Sequence, residues 1–228
     1  MRKIISPKRR AGIFPHTCAL CRTGCRFVLC ADCRRDVERL RASARCRRCG
    51  IPADAAICGG CLRRPPFFDR TYAAMTFAPP LSALVRDFKF RGRWHLARFL
   101  AELTEETPAP EADAILPVPL FFAREQWRGF NQSREIARAL PKSAPPRRDS
   151  WLSRIADTPP QTQMPDAAAR RRNVRGAFSA AADARGKTLL VVDDVMTSGS
   201  TLDEIARTLK KAGAAKVVNL VVARAAPG

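Results

Sequence analysis

Long apolar runs are missing from this sequence, and so are the features of an export signal. No stretch approaches the roughly 18 consecutive apolar residues that a membrane-spanning helix needs. The basic start of the chain, Met1–Arg10, has no apolar stretch of signal-peptide length behind it. We therefore expect a cytoplasmic protein with no membrane partner. Apolar residues still make up 46% of the 228 residues, which is enough for a packed core.

Acidic residues are also scarce. The chain has 21 Asp and Glu against 41 Lys and Arg, which gives a formal net charge of +20. The excess is large near the N-terminus, where residues 1–70 hold 17 basic and 5 acidic residues. Such a surface favours polyanions, including nucleic acid and polyphosphate ligands. An arginine-rich surface that is merely solvated is the alternative, and charge alone leaves both open.

Cysteine, in contrast, is abundant and regularly spaced. Eight of the nine cysteines form four Cys-x-x-Cys pairs that repeat after 28 residues: Cys18/Cys21, Cys30/Cys33, Cys46/Cys49 and Cys58/Cys61. Two such pairs can surround one zinc ion tetrahedrally, with each sulfur about 2.3 Å from the metal. Disulfides do not suit a reducing cytosol, and redox pairs do not explain four copies. We predict two structural Zn²⁺ ions. The repeat favours sequential sites, and a crossed pairing of the same knuckles stays open.

Closed four-cysteine sites have no open coordination position, so this zinc should hold structure and perform no catalysis. Cys25 is left over as a free thiol, and His16 is not needed as a ligand. Pro65-Pro66 marks the end of the cysteine-rich part. We therefore predict a double zinc-ribbon module at residues 1–66 and a second domain at residues 67–228.

The second domain carries its chemistry near the C-terminus. Thr188–Val192 is a short apolar run typical of a strand buried on both faces of a parallel sheet. Asp193 and Asp194 follow it, at the carboxyl end where open α/β sheets bind ligands. A loop of small residues comes next, then a predicted helix from about Leu202 to Lys211 and a predicted strand at Lys216–Ala223.

That loop, Thr197–Thr201, has the composition of an anion cradle. Gly199 allows close backbone approach, and the following helix N-terminus supplies unpaired N–H groups. The hydroxyls of Thr197, Ser198, Ser200 and Thr201 add donors for phosphate oxygens. Two carboxylates just upstream suit the vicinal hydroxyls of a ribose. These residues together predict a site for a ribose 5-phosphate.

Here the sequence resembles a known family. Val191–Thr201 looks like the motif with which type I phosphoribosyltransferases bind 5-phosphoribosyl 1-pyrophosphate (PRPP). Three further segments narrow the resemblance to the ComF family, which is associated with competence for DNA uptake: Leu116-Pro-Val-Pro-Leu120, Arg128-Gly-Phe-Asn-Gln132 and Arg172-Asn-Val-Arg-Gly-Ala-Phe178. The paired knuckles match the zinc ribbon of that family, so the resemblance covers residues 15 to 224.

The resemblance implies a role for each matching residue. Asp193 and Asp194 would hold the ribose hydroxyls, and Thr197, Ser198, Gly199, Ser200 and Thr201 the 5-phosphate. Mg²⁺ would be held largely by the pyrophosphate and ribose oxygens, with water between it and the protein.

The pyrophosphate side is less complete. The resemblance assigns it to the segment around Pro117 and Val118, after a predicted strand at Ala114–Leu116. Two prolines there remove amide donors, so basic side chains have to help. Arg128 is the first candidate, followed by Lys89 and Arg170.

The remaining pattern predicts an α/β fold, a parallel-sheet phosphoribosyltransferase-like core with a small zinc ribbon. Further expected elements are a strand at Arg70–Ala78, a helical region at Leu84–Leu103 that breaks near Gly92, and a helix at Gln132–Leu140. Ala156–Ala169 lacks periodicity and is a candidate flap.

Two function classes are compatible with these features. The first is phosphoribosyl transfer to an acceptor that no segment identifies, and no catalytic residue is assigned. The second is a non-catalytic PRPP-binding protein that acts in DNA uptake. Its partners would be single-stranded DNA, bound through the ribbon, or proteins of the uptake machinery.

Overall fold

A parallel four-stranded sheet forms the core of the fold. The structure is a computed structural model that describes residues 16–42, 44–107, 111–159 and 163–226. The strands are β1 (His16–Thr17), β2 (Gly24–Cys25), β3 (Arg70–Thr76), β4 (Ala114–Pro117), β5 (Leu152–Arg154), β6 (Phe178–Ala180), β7 (Thr188–Met196) and β8 (Lys216–Arg224). The α-helices are α1 (Ala31–Glu38), α2 (Gly59–Arg63), α3 (Leu81–Phe90), α4 (Leu96–Glu102), α5 (Phe122–Arg128), α6 (Gln132–Ala139), α7 (Ala167–Val174) and α8 (Ser200–Lys211).

The central sheet has the strand order β3-β8-β7-β4, and every neighbouring pair is parallel. Apolar residues of β7 alternate between two cores, as the period of a strand requires. Leu190 and Val192 pack with α3, α4 and α6, whereas Leu189 and Val191 pack with α8. Helices therefore cover both faces of the sheet, which is why β7 and β8 read as nearly continuous apolar runs. The predicted α/β class is confirmed.

The cysteine-rich part packs against both of these cores. Cys18, Leu29 and Val37 join the core that contains α3 and α4. The second group of knuckles contributes Cys46 and Cys49 to the core that contains α8. Each half of the cysteine repeat thus adds apolar contacts to a different face of the sheet.

Several element boundaries differ from the sequence-based expectation. β7 continues past Val192 to Met196, because Asp193 to Met196 stay paired with β8 as far as Arg224. α8 begins at Ser200, two residues earlier than predicted. The predicted helical region after Leu84 is two helices, α3 and α4, and Gly92 between them has a φ of +62°.

The segment at 156–169 was expected to lack regular structure. Its last residues instead begin α7, because the side chain of Asp166 caps the helix by accepting a hydrogen bond from Ala169 N at 2.7 Å. Residues 160–162 of that segment lie outside the described residues. Across the described part of the chain, no helix combines the length and apolar character that crossing a bilayer demands.

Candidate functional site

The loop between β7 and α8 contains one residue with left-handed backbone conformation, Gly199, directly before the helix begins. Gly199 has a φ of +80°, a conformation that L side chains rarely adopt, so glycine is the residue that fits here. Its carbonyl accepts from Asp203 N at 2.9 Å, which starts α8. Ser198 Oγ and Ser200 Oγ lie 2.9 Å apart. All five residues of Thr197–Thr201 line one cavity of about 870 Å³.

The acid pair lines the same cavity, and each carboxylate is held by a side chain from a different helix. Asp194 Oδ2 lies 2.8 Å from Lys89 Nζ on α3, and the Asp194 side chain is only 3% exposed. Asp193 Oδ1 accepts a hydrogen bond from Ser133 Oγ on α6 at 2.8 Å. The backbone also contributes, because Val195 N donates to Asp194 Oδ1 at 2.6 Å.

The environment of Asp193 disfavours its ionised form. Burial, and then the adjacent charge of Asp194, raises the pKa of Asp193 to about 7. Lys89 and Ser133 oppose this rise, since both favour the ionised carboxylate. Asp193 is therefore a carboxyl group that changes its charge near neutral pH, at the edge of a cavity.

Cationic side chains line the cavity together with the acids. Lys89 and Arg128, both expected on the pyrophosphate side, line it together with Val118. The Arg128 guanidinium donates to Gln132 Oε1 at 2.7 Å and lies 5.2 Å from the centre of the Phe90 ring. Its buried Nε has no hydrogen-bond partner among the described residues. Burial lowers the pKa of Arg128, and Asp194 opposes that shift.

The other pyrophosphate-side candidates offer no free donor in this cavity. Val118 N donates to Val192 O at 3.0 Å, so this amide is used by the sheet and is not free for an anion. Pro117 lines a second cavity of about 240 Å³, next to Glu125 and Asn131. Arg170 lies on α7 and is not among the residues that line the 870 Å³ cavity.

Sequence reasoning missed several residues of this cavity. Three arginines line its wall: Arg86, Arg124 and Arg154. Ser133 of α6 lies behind the wall, where it holds Asp193. Arg124 and Arg154 both bond Thr158, through its carbonyl at 2.8 Å and its hydroxyl at 2.6 Å. No local pattern marks these residues, because elements far apart in the sequence bring them together. Other lining residues that were not assigned a role, such as Leu120 and Gln132, do stand within segments that carry the family resemblance.

The cysteines form two compact groups with sequential pairing. Cys18, Cys21, Cys30 and Cys33 form one, and Cys46, Cys49, Cys58 and Cys61 the other; within each, all sulfur atoms lie within 4.8 Å of one another. The Cys21 and Cys30 sulfur atoms lie 3.7 Å apart, and the Cys49 and Cys58 sulfur atoms lie 3.6 Å apart. A tetrahedron with zinc–sulfur bonds of about 2.3 Å has edges of about 3.8 Å. Both groups are therefore compatible with structural zinc, and the sequential arrangement is the one found.

Comparison with known proteins agrees with this architecture. The family profile "Phosphoribosyl transferase domain" matches residues 106–227. The "DNA utilization protein YhgH" of Salmonella typhi is 37% identical over 89% of this chain and 94% of its own length. "Competence protein F" of Haemophilus influenzae is 31% identical over 93% of this chain and 98% of its own length. "Competence protein ComFC" of Bacillus subtilis is 25% identical over 84% of this chain and 81% of its own length.

Proposed function

The chain belongs to the ComF family of phosphoribosyltransferase-domain proteins, and from this premise we propose that it binds PRPP in the 870 Å³ cavity. Asp193 and Asp194 would accept hydrogen bonds from the ribose hydroxyls. The 5-phosphate would lie in the loop Thr197–Thr201, at the N-terminus of α8. In this orientation the pyrophosphate points toward Lys89 and Arg128.

One observation carries the proposal. A small-residue loop at a helix N-terminus, two adjacent carboxylates and two partly buried cations line a single cavity, although they come from three distant parts of the sequence. A helix N-terminus favours a phosphate, carboxylates favour a diol, and cations favour a second anionic group. PRPP carries these three groups in that order. The buried Nε of Arg128, which has no hydrogen-bond partner among the described residues, adds a donor that a pyrophosphate oxygen would satisfy.

Mg²⁺ belongs to this proposal as a companion of the ligand. It would be held by pyrophosphate and ribose oxygens and by water, because Mg²⁺ keeps several waters when it binds phosphates. Lys89 already forms an ion pair with Asp194 at 2.8 Å, so ligand binding would exchange part of that pair for contacts to the ligand.

Transfer of the phosphoribosyl group would follow from such a complex. A nucleophile of the acceptor would attack C1 of the ribose, the bond from C1 to the pyrophosphate oxygen would break, and the pyrophosphate would leave with its electron pair. Lys89 and Arg128 would stabilise the departing charge. No residue of the cavity is assigned as a general base, and the acceptor is not identified.

The proposal is tested by calorimetry with PRPP in the presence and absence of Mg²⁺. Replacing Asp193 and Asp194 together with Ala should weaken PRPP binding about 100-fold or more, since hydrogen bonds to a charged group contribute about 1.5–3 kcal/mol each. The exposed Asp183→Ala variant is the control and should bind normally. Wild-type affinity in the double variant would show that the ribose lies elsewhere.

We infer nucleic-acid binding as a second candidate function, supported by exposed rings at the mouth of the same cavity. Trp127 is 73% exposed and Phe90 is 59% exposed. Arg86, Arg124 and Arg128 line the cavity beside them. Aromatic platforms next to cations are the composition with which proteins bind single-stranded nucleic acid. The names of the relatives, which refer to DNA utilization and competence, agree with this candidate. Association with proteins of a DNA-uptake machinery stays a prediction.

A further inference from the structure

Arg224, the last residue of β8, is a buried arginine that joins three separate segments. Only 5% of the Arg224 surface is exposed. Nε donates to Cys49 O at 2.8 Å, in the second cysteine group. Nη1 donates to Met196 O at 3.0 Å and to Ala225 O at 2.6 Å, and it also contacts Thr197 O. One guanidinium thus connects a zinc knuckle to the first residue of the phosphate loop.

Such a position is costly for a charged group unless its surroundings compensate. Burial lowers the pKa of Arg224, and the neighbouring thiol of Cys49 opposes that shift. Four thiolates around one Zn²⁺ carry a net charge of about −2, so a metal-loaded second group would favour a buried cation beside it. The carbonyls satisfy the donors, and the adjacent cysteine group supplies the opposite charge.

The second group is also fastened to the sheet at other points. Arg45 donates to Gly50 O at 2.9 Å and to Thr76 Oγ1 on β3 at 3.3 Å. Thr71 N on β3 donates to Arg47 O at 3.2 Å. Gly50 has a φ of +71°, and a Cβ there would lie 3.1 Å from Thr71 Cγ2. The knuckle therefore lies directly against the sheet, with its carbonyls directed at Arg45 and Arg224.

The first cysteine group makes different contacts. Both groups have local bonds to their knuckle carbonyls, such as Arg22 N to Cys18 O at 3.1 Å and Gly50 N to Cys46 O at 2.9 Å. The contact that distinguishes the second group is the one from Arg224 Nε on β8 to Cys49 O at 2.8 Å. The apolar residues of the first group pack with α3 and α4. The two halves of the repeat match residue for residue in their cysteines, so the first group is a natural control for the second.

We propose that Arg224 is a positioning residue that makes the phosphate loop depend on the second cysteine group. When Cys46, Cys49, Cys58 and Cys61 hold their metal, the Cys49 carbonyl fixes the guanidinium, which in turn fixes the carbonyls of Met196 and Thr197. The loop amides and hydroxyls are then oriented for a phosphate. This inference rests on the proposed PRPP site and assigns the second zinc module a role in it.

Four variants test the proposal: Arg224→Gln, Arg224→Lys, Cys58→Ser and Cys30→Ser. The two serine variants occupy equivalent positions of the repeat, and each should lower the zinc content from about two ions per chain to about one. Calorimetry measures PRPP affinity with Mg²⁺ present. Hydrogen exchange of peptides that span residues 195–203 measures the order of the loop. All measurements are made well below the unfolding temperature of each variant.

Arg224→Gln should keep two zinc ions. It should bind PRPP at least about 10-fold more weakly, and its loop amides should exchange faster. The reason is that the charge-assisted hydrogen bonds to backbone carbonyls in three segments are lost. The PRPP affinity and the loop exchange of Arg224→Lys should lie between those of Arg224→Gln and wild type. Lysine keeps the charge but lacks the planar guanidinium with its several fixed donors. Cys58→Ser should resemble Arg224→Gln, whereas Cys30→Ser should bind PRPP within about 2-fold of wild type.

Wild-type affinity and loop exchange in Arg224→Gln would overturn the inference, as would equal losses in Cys58→Ser and Cys30→Ser. If the wild-type protein itself does not bind PRPP, the proposed function fails. The exchange measurement then still decides whether Arg224 and the second cysteine group order the loop.

Discussion

Asp193 lines the large cavity in an environment that is unfavourable for its charge. It lies beside a second carboxylate and is held by Ser133 at 2.8 Å, and burial raises its pKa to about 7. An unfolded Asp has a pKa of about 3.9. The folded state therefore binds this proton more tightly than the unfolded chain does. The stabilisation is fully present below about pH 4 and is lost as the pH rises through about 7.

We predict that Asp193→Asn removes this pH dependence. The unfolding temperature of the wild-type protein should fall between about pH 5 and pH 8 by an amount that the variant lacks. At pH 8 the variant should be the more stable protein, because Asn carries no charge next to Asp194. Thermal unfolding across a pH series measures both effects, with the exposed Asp183→Asn as the control. Parallel pH profiles of wild type and Asp193→Asn would contradict the prediction.

At the residue scale the sequence revealed the groups that follow one another in the chain. Asp193, Asp194 and the loop after them stand within nine residues, so their pattern is visible locally. Ser133 contacts Asp193 across 60 residues, and Arg224 contacts Cys49 across 175. Nothing in the sequence next to Ser133 or Arg224 marks these contacts, because they arise only when α6 and the cysteine-rich part pack against the sheet.

At the scale of elements, the buried strands and the helices that pack on them were predictable. α5 was not, because none of its residues is buried and no apolar period marks it. The antiparallel pair of β5 and β6 was not predicted either, since its strands have only three residues each and a long connection separates them. β7 was predicted too short, because two acids interrupt its apolar run although its pairing with β8 continues.

The cysteine repeat makes a prediction at this same scale. Metal analysis of protein purified without added metal should give about two zinc ions per chain, since both groups have the sulfur spacing of a tetrahedral site. A strong chelator should lower the unfolding temperature, because each group contributes buried cysteines to one of the two cores. Folded protein with almost no zinc would refute the zinc assignment, and one ion per chain would leave one group without metal.

At the scale of the whole molecule, the charge of +20 is distributed over surfaces of different character. In α1, Arg34 pairs with Glu38 at 3.0 Å and Arg35 pairs with Asp32. Ion pairs of this kind reduce the field that the ribbon presents to a polyanion. At the mouth of the cavity, arginines instead lie beside the exposed rings of Trp127 and Phe90.

The last prediction tests which surface contacts single-stranded DNA, the ribbon or the cavity mouth with Trp127 and Phe90. We expect weak binding with a steep salt dependence, with a log–log slope of roughly −3 if about four phosphates are neutralised. Replacing Trp127 and Phe90 with Ala should weaken binding about 10-fold or more while the salt slope stays nearly unchanged, because stacking does not release counterions.

The sequence-based expectation assigns the contact to the ribbon instead, and the matched variant replaces Arg34, Arg35, Arg47 and Arg48 with Ser. If the ribbon binds DNA, this variant should lose both affinity and part of the salt slope, with PRPP affinity intact. Fluorescence anisotropy of a labelled oligonucleotide across a salt series distinguishes the two outcomes. No binding by the wild-type chain at low salt would exclude nucleic-acid binding as a property of this chain alone. The cavity would then be left with PRPP as its proposed ligand and a metabolic acceptor to be found.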